Sequence, residues 1–206
     1  MNIYEHIDYT LLKATATLED IINLCNEAEE KGCASVCIPS HFVSFVANYF
    51  PNLTICTVVG FPLGNSTTEI KIAETKKAIA DGADEIDMVI NIGELKEGNL
   101  IYVIDEIEKI KRVIPCHILK VIIETCYLTK EEIANITYAI DLTYADYVKT
   151  STGFGTRGAS FEDIEIMKNN IYHKTKIKAS GGIRTKEEME KYIALGCDRI
   201  GASKLP

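Results

Sequence analysis

Tyr147-Val148-Lys149-Thr150-Ser151-Thr152-Gly153-Phe154-Gly155 is a short apolar run that carries one lysine and then passes into a glycine-rich loop. Successive side chains of a strand point to opposite faces, so Val148 and Lys149 cannot share an environment. With Val148 under a covering helix, Lys149 points into whatever the sheet encloses. A lysine so placed needs a charged partner or a lowered pKa, and a neutral amine is a nucleophile toward carbonyls. A lone lysine at a strand end more often extends to solvent. What matters is therefore its company.

The chain has 206 residues, 47% hydrophobic and 25% charged, which suits one compact domain with a sizeable core. A net charge of -8 and an isoelectric point near 5.1 weigh against nucleic acid or an anionic membrane as main partner. An anionic substrate must then be held by local groups. Met1-Asn2-Ile3-Tyr4-Glu5-His6 has neither a basic nor an apolar leader pattern, and no run of about 18 apolar residues occurs, so a cytoplasmic protein is expected. Seven cysteines (25, 33, 37, 56, 116, 126 and 197), without a CxxC pair or histidines at metal spacing, are expected as buried thiols rather than disulfides or zinc ligands.

Short β-branched runs alternate with longer amphipathic ones. Strands are predicted to begin near His6, Ser35, Ile55, Glu85, His117, Asp146, Lys176 and Asp198, with seven helical stretches between them. Five helices open with Ser or Thr followed three residues later by an acid: Thr17 with Asp20, Ser66 with Glu69, Thr129 with Glu132, Ser160 with Asp163 and Thr185 with Glu188. Alternating strands and helices with short connections imply a parallel sheet, and eight strands imply closure. The predicted fold class is α/β, a (β/α)8 TIM barrel occupying residues 1–206 as one domain. The chain stops at Gly201-Ala202-Ser203-Lys204-Leu205-Pro206, so the final helix is expected to be absent.

A weak repeat sharpens the phase. Gly32-Cys33-Ala34-Ser35-Val36-Cys37, Gly82-Ala83-Asp84-Glu85-Ile86-Asp87 and Gly196-Cys197-Asp198-Arg199-Ile200-Gly201 share a helix-ending Gly, a small residue, two variable residues and a β-branched one. Tyr144-Ala145-Asp146-Tyr147-Val148-Lys149 fits with Tyr in place of Gly. These blocks open strands two, four, six and eight. Alternate strands of such a barrel share an interior layer, so Cys37, Asp87, Lys149 and Gly201 should lie at one level.

The next strand, Lys176-Ile177-Lys178-Ala179-Ser180, puts Lys178 inward beside Lys149. Two neighbouring ammonium groups predict that one titrates low, and Asp87 would exchange protons and balance charge. An interior Asp87–Lys178 ion pair without catalytic duty is the plainer alternative. Glycines and hydroxyls follow strands six, seven and eight at Ser151-Thr152-Gly153-Phe154-Gly155, Gly181-Gly182-Ile183-Arg184 and Gly201-Ala202-Ser203-Lys204, a pattern that suits a phosphate cradle. Further inward candidates are Asp8, with Thr10, for a substrate hydroxyl or for each other. Lys120 and Glu124 on strand five, and Cys37 at the pocket, complete the set. No triad, GxGxxG, P-loop or carboxylate–histidine metal cluster is present, and neither metal nor organic cofactor is expected.

Four motifs in order, Ile7-Asp8-Tyr9-Thr10-Leu11-Leu12, Asp84-Glu85-Ile86-Asp87-Met88-Val89-Ile90-Asn91, Val148-Lys149-Thr150-Ser151-Thr152-Gly153-Phe154-Gly155 and Lys178-Ala179-Ser180-Gly181-Gly182-Ile183-Arg184, closely resemble those of the deoxyribose-phosphate aldolase family. The likeness runs from about residue 6 to 204. It implies a Schiff base on Lys149, a proton relay through Asp87 and Lys178, and phosphate held by Gly153, Gly181, Gly182, Arg184, Gly201 and Ser203, with Thr152 beside them. The implied reaction is reversible cleavage of 2-deoxy-D-ribose 5-phosphate to acetaldehyde and D-glyceraldehyde 3-phosphate, in deoxynucleoside catabolism. Some relatives have Lys at the place of Phe154, and relatives continue into a final helix. Lys204, or a partner subunit in a homo-oligomer, is expected to compensate. The alternatives are a sugar-phosphate-binding barrel without turnover, a Schiff-base aldolase with a different donor, and an isomerase using Asp87 as base.

Overall fold

The structure, a computed structural model, describes residues 2–206. Its elements run β1 (Ile7–Thr10), α1 (Leu18–Lys31), β2 (Ser35–Ile38), α2 (Val43–Tyr49), β3 (Ile55–Val59), α3 (Thr68–Ala80), β4 (Glu85–Val89) and α4 (Ile92–Lys96). They continue through α5 (Leu100–Val113), β5 (Ile118–Ile122), α6 (Lys130–Asp141), β6 (Tyr147–Lys149), α7 (Phe161–Asn169), β7 (Lys176–Ser180), α8 (Lys186–Leu195) and β8 (Arg199–Ala202). All eight strands pair in parallel and β8 closes on β1, the TIM barrel read from the sequence. The fourth crossover splits into α4 and α5 at Gly98. Among the described residues no helix follows β8.

Four of the five expected capping boxes form, at Thr17, Thr129, Ser160 and Thr185. The Ser66 box does not. The helix begins one residue later, with Thr67 at the cap, because three consecutive hydroxyl residues offer the backbone alternative starting points. The repeat has a role at the barrel's closed end. Its third residue is Asp84, Asp146 or Asp198 in three blocks, and each carboxylate accepts the backbone N–H of Ile55, Leu119 or Ile177 on the preceding strand. Those positions, taken as variable from sequence, are inter-strand straps.

The register fixes the interior. Cys37 pairs with Cys56 and Cys56 with Glu85, so two strands on, at the same height along the tilted axis, stands Asp87. The same step leads from Asp87 past Lys120 and Tyr147 to Lys149, and from there past Lys178 and Arg199 to Gly201. From Gly201, past Asp8 and Ser35, it returns to Cys37. Cys37, Asp87, Lys149 and Gly201 therefore form the expected layer. Beneath it lie Asp8, Cys56, Lys120 and Lys178; Ser35, Glu85, Tyr147 and Arg199 make the floor. The outward residues between them, such as Ile86, Met88, Leu119, Val121, Val148 and Ile177, are buried against the helices. Each contributes about 1.5–3 kcal/mol by burial.

Candidate active site

Lys149 ends β6, where Gly153 and a return loop stop the strand and leave its Nζ at the bottom of a cavity of about 330 Å³ at the strands' C-terminal end. That size suits a small metabolite. Lys149 is only 3% exposed. Its Nζ lies 2.6 Å from Asp87 Oδ2, and Lys178 Nζ reaches the same oxygen at 2.7 Å. The two lysines are thus neighbours in the barrel, as expected, but not bare ones. Asp87 bridges them.

This bridge corrects the electrostatic expectation. Asp87 Oδ1 also accepts from Lys120 at 2.9 Å, and Lys178 lies 2.5 Å from Asp8 Oδ2. Burial would lower the Lys178 pKa, but Asp8 and Asp87 outweigh burial and the repulsion of Lys120, so it is raised above the ordinary lysine value. Lys120 is raised for the same reason, held by Asp87, Asp8 and Glu85 against burial. Burial would push the Asp8 and Asp87 carboxyls up, yet the surrounding cations hold both below the usual carboxylate range. Lys178 is therefore a firmly held ammonium, not the amine that titrates low.

The cavity wall unites Thr10, Lys149, Thr152, Gly153, Gly181, Gly182, Arg184, Gly201 and Ser203, all expected there. Asp87, Lys178, Asp8, Lys120 and Cys37 lie below it, out of the wall. Gly181 and Gly182 have φ of 85° and 77°, a conformation that β-carbon-bearing residues rarely adopt, and the turn they make lines the cavity. Gly201 is glycine for another reason: a β-carbon would meet Ser180 Cβ at 2.8 Å and Lys178 Cε at 3.3 Å. Its missing side chain leaves room for the Lys178 stem beside Ser180.

Several expectations need correction. Glu124 is not on strand five; it follows β5 with φ 53° and its carboxylate accepts from Thr152 N and Oγ1, fastening the loop after Lys149. Asp8 and Thr10 do not satisfy each other through their side chains: Thr10 Oγ1 donates to the Asp8 backbone carbonyl, and the Asp8 carboxylate faces Lys178 and Arg199. Lys204 is exposed and outside the wall. Lys13 lines it instead, immediately after the Leu11-Leu12 motif, and was not anticipated. Cys116 is exposed, not buried. Cys37, Cys56 and Asp87 bring three ligand atoms within 4.8 Å of one another, but Asp87 already serves three ammonium groups, which a metal cation would have to displace. Among the described residues no helix is long and apolar enough to cross a membrane.

Comparison with known proteins agrees with this geometry. Residues 5–203 match the model of the DeoC/LacD family of aldolases. The chain is 53% identical over 203 residues to deoxyribose-phosphate aldolase of Clostridium botulinum (strain Eklund 17B / Type B), covering 98% of this chain and 92% of the relative. It is 52% identical over 209 residues to the enzyme of that name from Treponema denticola, covering 98% and 96%. A tetrameric deoxyribose phosphate aldolase from Aeropyrum pernix superimposes with a TM-score of 0.89 at 28% identity, covering 98% of this chain and 86% of that one. A lysine paired to a buried carboxylate beneath the cavity of a closed barrel thus occurs in a chain that belongs to the DeoC/LacD aldolase family.

Proposed function

We propose that this aldolase cleaves 2-deoxy-D-ribose 5-phosphate reversibly to acetaldehyde and D-glyceraldehyde 3-phosphate through a Schiff base on Lys149. The observation that carries this is the Lys149 amine, sheltered at the cavity bottom and hydrogen-bonded at 2.6 Å to a carboxylate shared with Lys178. Neutral Lys149 adds through Nζ to C1 of the open-chain sugar, and the carbinolamine loses water to an iminium. The C3 hydroxyl gives up its proton as the C2–C3 electron pair moves into a C1–C2 double bond, releasing glyceraldehyde phosphate. The iminium π pair returns to nitrogen, making an enamine. Protonation at C2 and hydrolysis free acetaldehyde and the amine.

Asp87 and Lys178 move the protons. Their shared hydrogen bond lets a proton pass from Lys149 to a carboxylate and be replaced from an ammonium, without exposing either charge to the interior. Lys120 and Asp8 orient that pair. The phosphate is held by Arg184, Ser203 and the Gly153, Gly181, Gly182 and Gly201 backbone, with Lys13 opposite. Among the described residues no carboxylate lines the wall, which in a chain of net charge -8 favours an anion locally. Seven free thiols suit the reducing cytoplasm. Assembly into a homo-oligomer is part of this proposal, supported by the tetrameric relative.

Borohydride reduction with acetaldehyde, followed by mass spectrometry, should add an ethyl group to the peptide containing Lys149. Trapping by pyruvate or dihydroxyacetone in preference to acetaldehyde would reassign the donor. No adduct with any carbonyl would overturn the Schiff base.

A further inference from the structure

The floor of the barrel carries charges that no step above uses. Arg199 donates through Nη1 to Asp8 and through Nη2 to Glu85 Oε1 at 3.1 Å. Glu85 Oε2 lies 2.5 Å from Lys120 Nζ, and Asp8 Oδ2 lies 2.5 Å from Lys178 Nζ. Both lysines end on Asp87, whose Oδ2 holds Lys149. Two arms therefore run from Arg199 to the same carboxylate. The charge count is uneven: four bases (Lys120, Lys149, Lys178, Arg199) face three carboxylates (Asp8, Glu85, Asp87). Fully ionised, the cluster keeps one surplus positive charge inside a barrel whose outer side is apolar, and loss of one proton balances it.

Other groups face the cluster from the remaining strands. On β2, Ser35 is neutral and Cys37 sits beside the Cys56 thiol of β3, which donates to Asp87. On β6, Tyr147 stands next to Arg199, and burial raises its phenol above its ordinary pKa, so it stays neutral. Above the cluster, Glu124 is occupied by Thr152, while Lys13 and Arg184 stand at the mouth. From below, Arg199 and Glu85 add charge, and the Asp198 carboxylate, held by the Ile177 N–H, stands near Tyr147.

The geometry points to Arg199 and Glu85 as positioning residues that set, from the closed end of the barrel, the pH at which the Lys149 cluster releases the proton that frees a nucleophilic amine. This inference rests on the Schiff-base proposal. Arg199 competes with Lys178 and Lys120 for Asp8 and Glu85, and so leaves Asp87 more fully engaged by those lysines and less available to Lys149. Glu85 does the opposite by drawing Lys120 away from Asp87. The two floor residues thus act with opposite sign.

The test is the pH dependence of acetaldehyde trapping at Lys149 by borohydride, in wild type and in Glu85→Gln, Arg199→Gln, Arg199→Lys and the Glu85→Gln/Arg199→Gln double variant. Attack needs the neutral amine, so trapping rises with pH through an acid limb. Removing the negative charge in Glu85→Gln moves that limb to lower pH, and removing the positive charge in Arg199→Gln moves it up, each by on the order of one pH unit. The double variant returns toward wild type, and Arg199→Lys keeps the limb in place because the charge is kept. Circular dichroism identifies a variant that fails to fold; should Arg199→Gln do so, Glu85→Gln and Arg199→Lys still decide. Limbs that shift in the same direction, or not at all, while wild type is trapped at Lys149 overturn the floor's role alone. Absence of trapping in wild type overturns the Schiff-base proposal itself.

Discussion

Two buried ion clusters of this molecule behave in opposite ways. Inside the barrel, Asp87 binds three lysines, and the partners outweigh burial for Lys120, Lys178, Asp8 and Asp87: the two lysines rise and the two aspartates fall. Outside it, between α3 and α5, Lys71 and Glu106 are equally inaccessible and pair at 2.8 Å, with Lys71 also donating to Val89 O and Thr68 to Glu106. There burial wins: it lowers Lys71 and raises Glu106 despite their attraction. One partner of opposite charge does not repay removal from water; several can. The isolated pair pins the end of β4 and is remote from the cavity, whereas the network sits under it, where a proton must move at little cost.

Experiments can break this contrast. The largest effect is expected from Lys149→Ala, which should abolish trapping and reduce turnover by about 10⁴-fold or more, roughly 5.5 kcal/mol of barrier. Residual turnover above that level in a purified variant would deny Lys149 its covalent role. Lys71→Met should cost about 3–5 kcal/mol of unfolding free energy by stranding the Glu106 carboxylate, and Lys71→Met/Glu106→Leu should recover most of it. Urea denaturation measures both. If the double variant is as weak as the single, the pair's hydrogen bonds matter more than its charges.

Acid denaturation separates the clusters by sign. Asp8 and Asp87 have depressed folded pKa values, so their stabilisation is complete above the unfolded carboxylate pKa of about 3.9 and is lost as pH falls below it through the folded values. Glu106, raised in the fold, opposes folding above its folded pKa, and that cost is relieved as pH falls. Asp8→Asn should flatten the acid loss of stability below about pH 4 by about 1–2 kcal/mol, whereas Glu106→Gln should act at higher pH, removing the stability regained as pH falls from the raised folded pKa of Glu106 toward the unfolded value of about 4.3. Equal slopes in the two variants would erase the distinction. The smallest effect is expected from Lys13→Ala. Its exposed ammonium should lower phosphate-substrate affinity about 3- to 10-fold, seen as a higher KM with little change in kcat. A fall in kcat alone would move Lys13 away from phosphate.

What could be read from sequence follows the periodicity of strands. Lys149, Asp87 and Lys178 were legible because each sits at an inward phase of a run whose outward neighbours are apolar, and the repeat aligned two of them in one layer. Half the predicted strand starts fell one residue early, at His6, His117, Asp146 and Asp198. The latter two aspartates belong to the straps. Glu85 and Arg199 gave no signal, because a charged first residue of a strand reads as solvent-facing; only closure of the ring brings residues so distant in sequence together across the floor. Lys13 lies in a loop, where no period marks direction. Glu124 was misjudged because its left-handed backbone turns it out of the strand's alternation.

The straps at Asp84, Asp146 and Asp198 leave one block of the repeat without its equivalent. Ala34 stands there, and only its backbone N–H bonds across, to Ile7 O and Tyr4 O. Of the four joints at which these blocks stand, three are riveted and the one between β1 and β2 is plain. Transient breathing of the ring should begin along β1 and β2, and deuterium uptake at those amides should outpace uptake at the riveted joints.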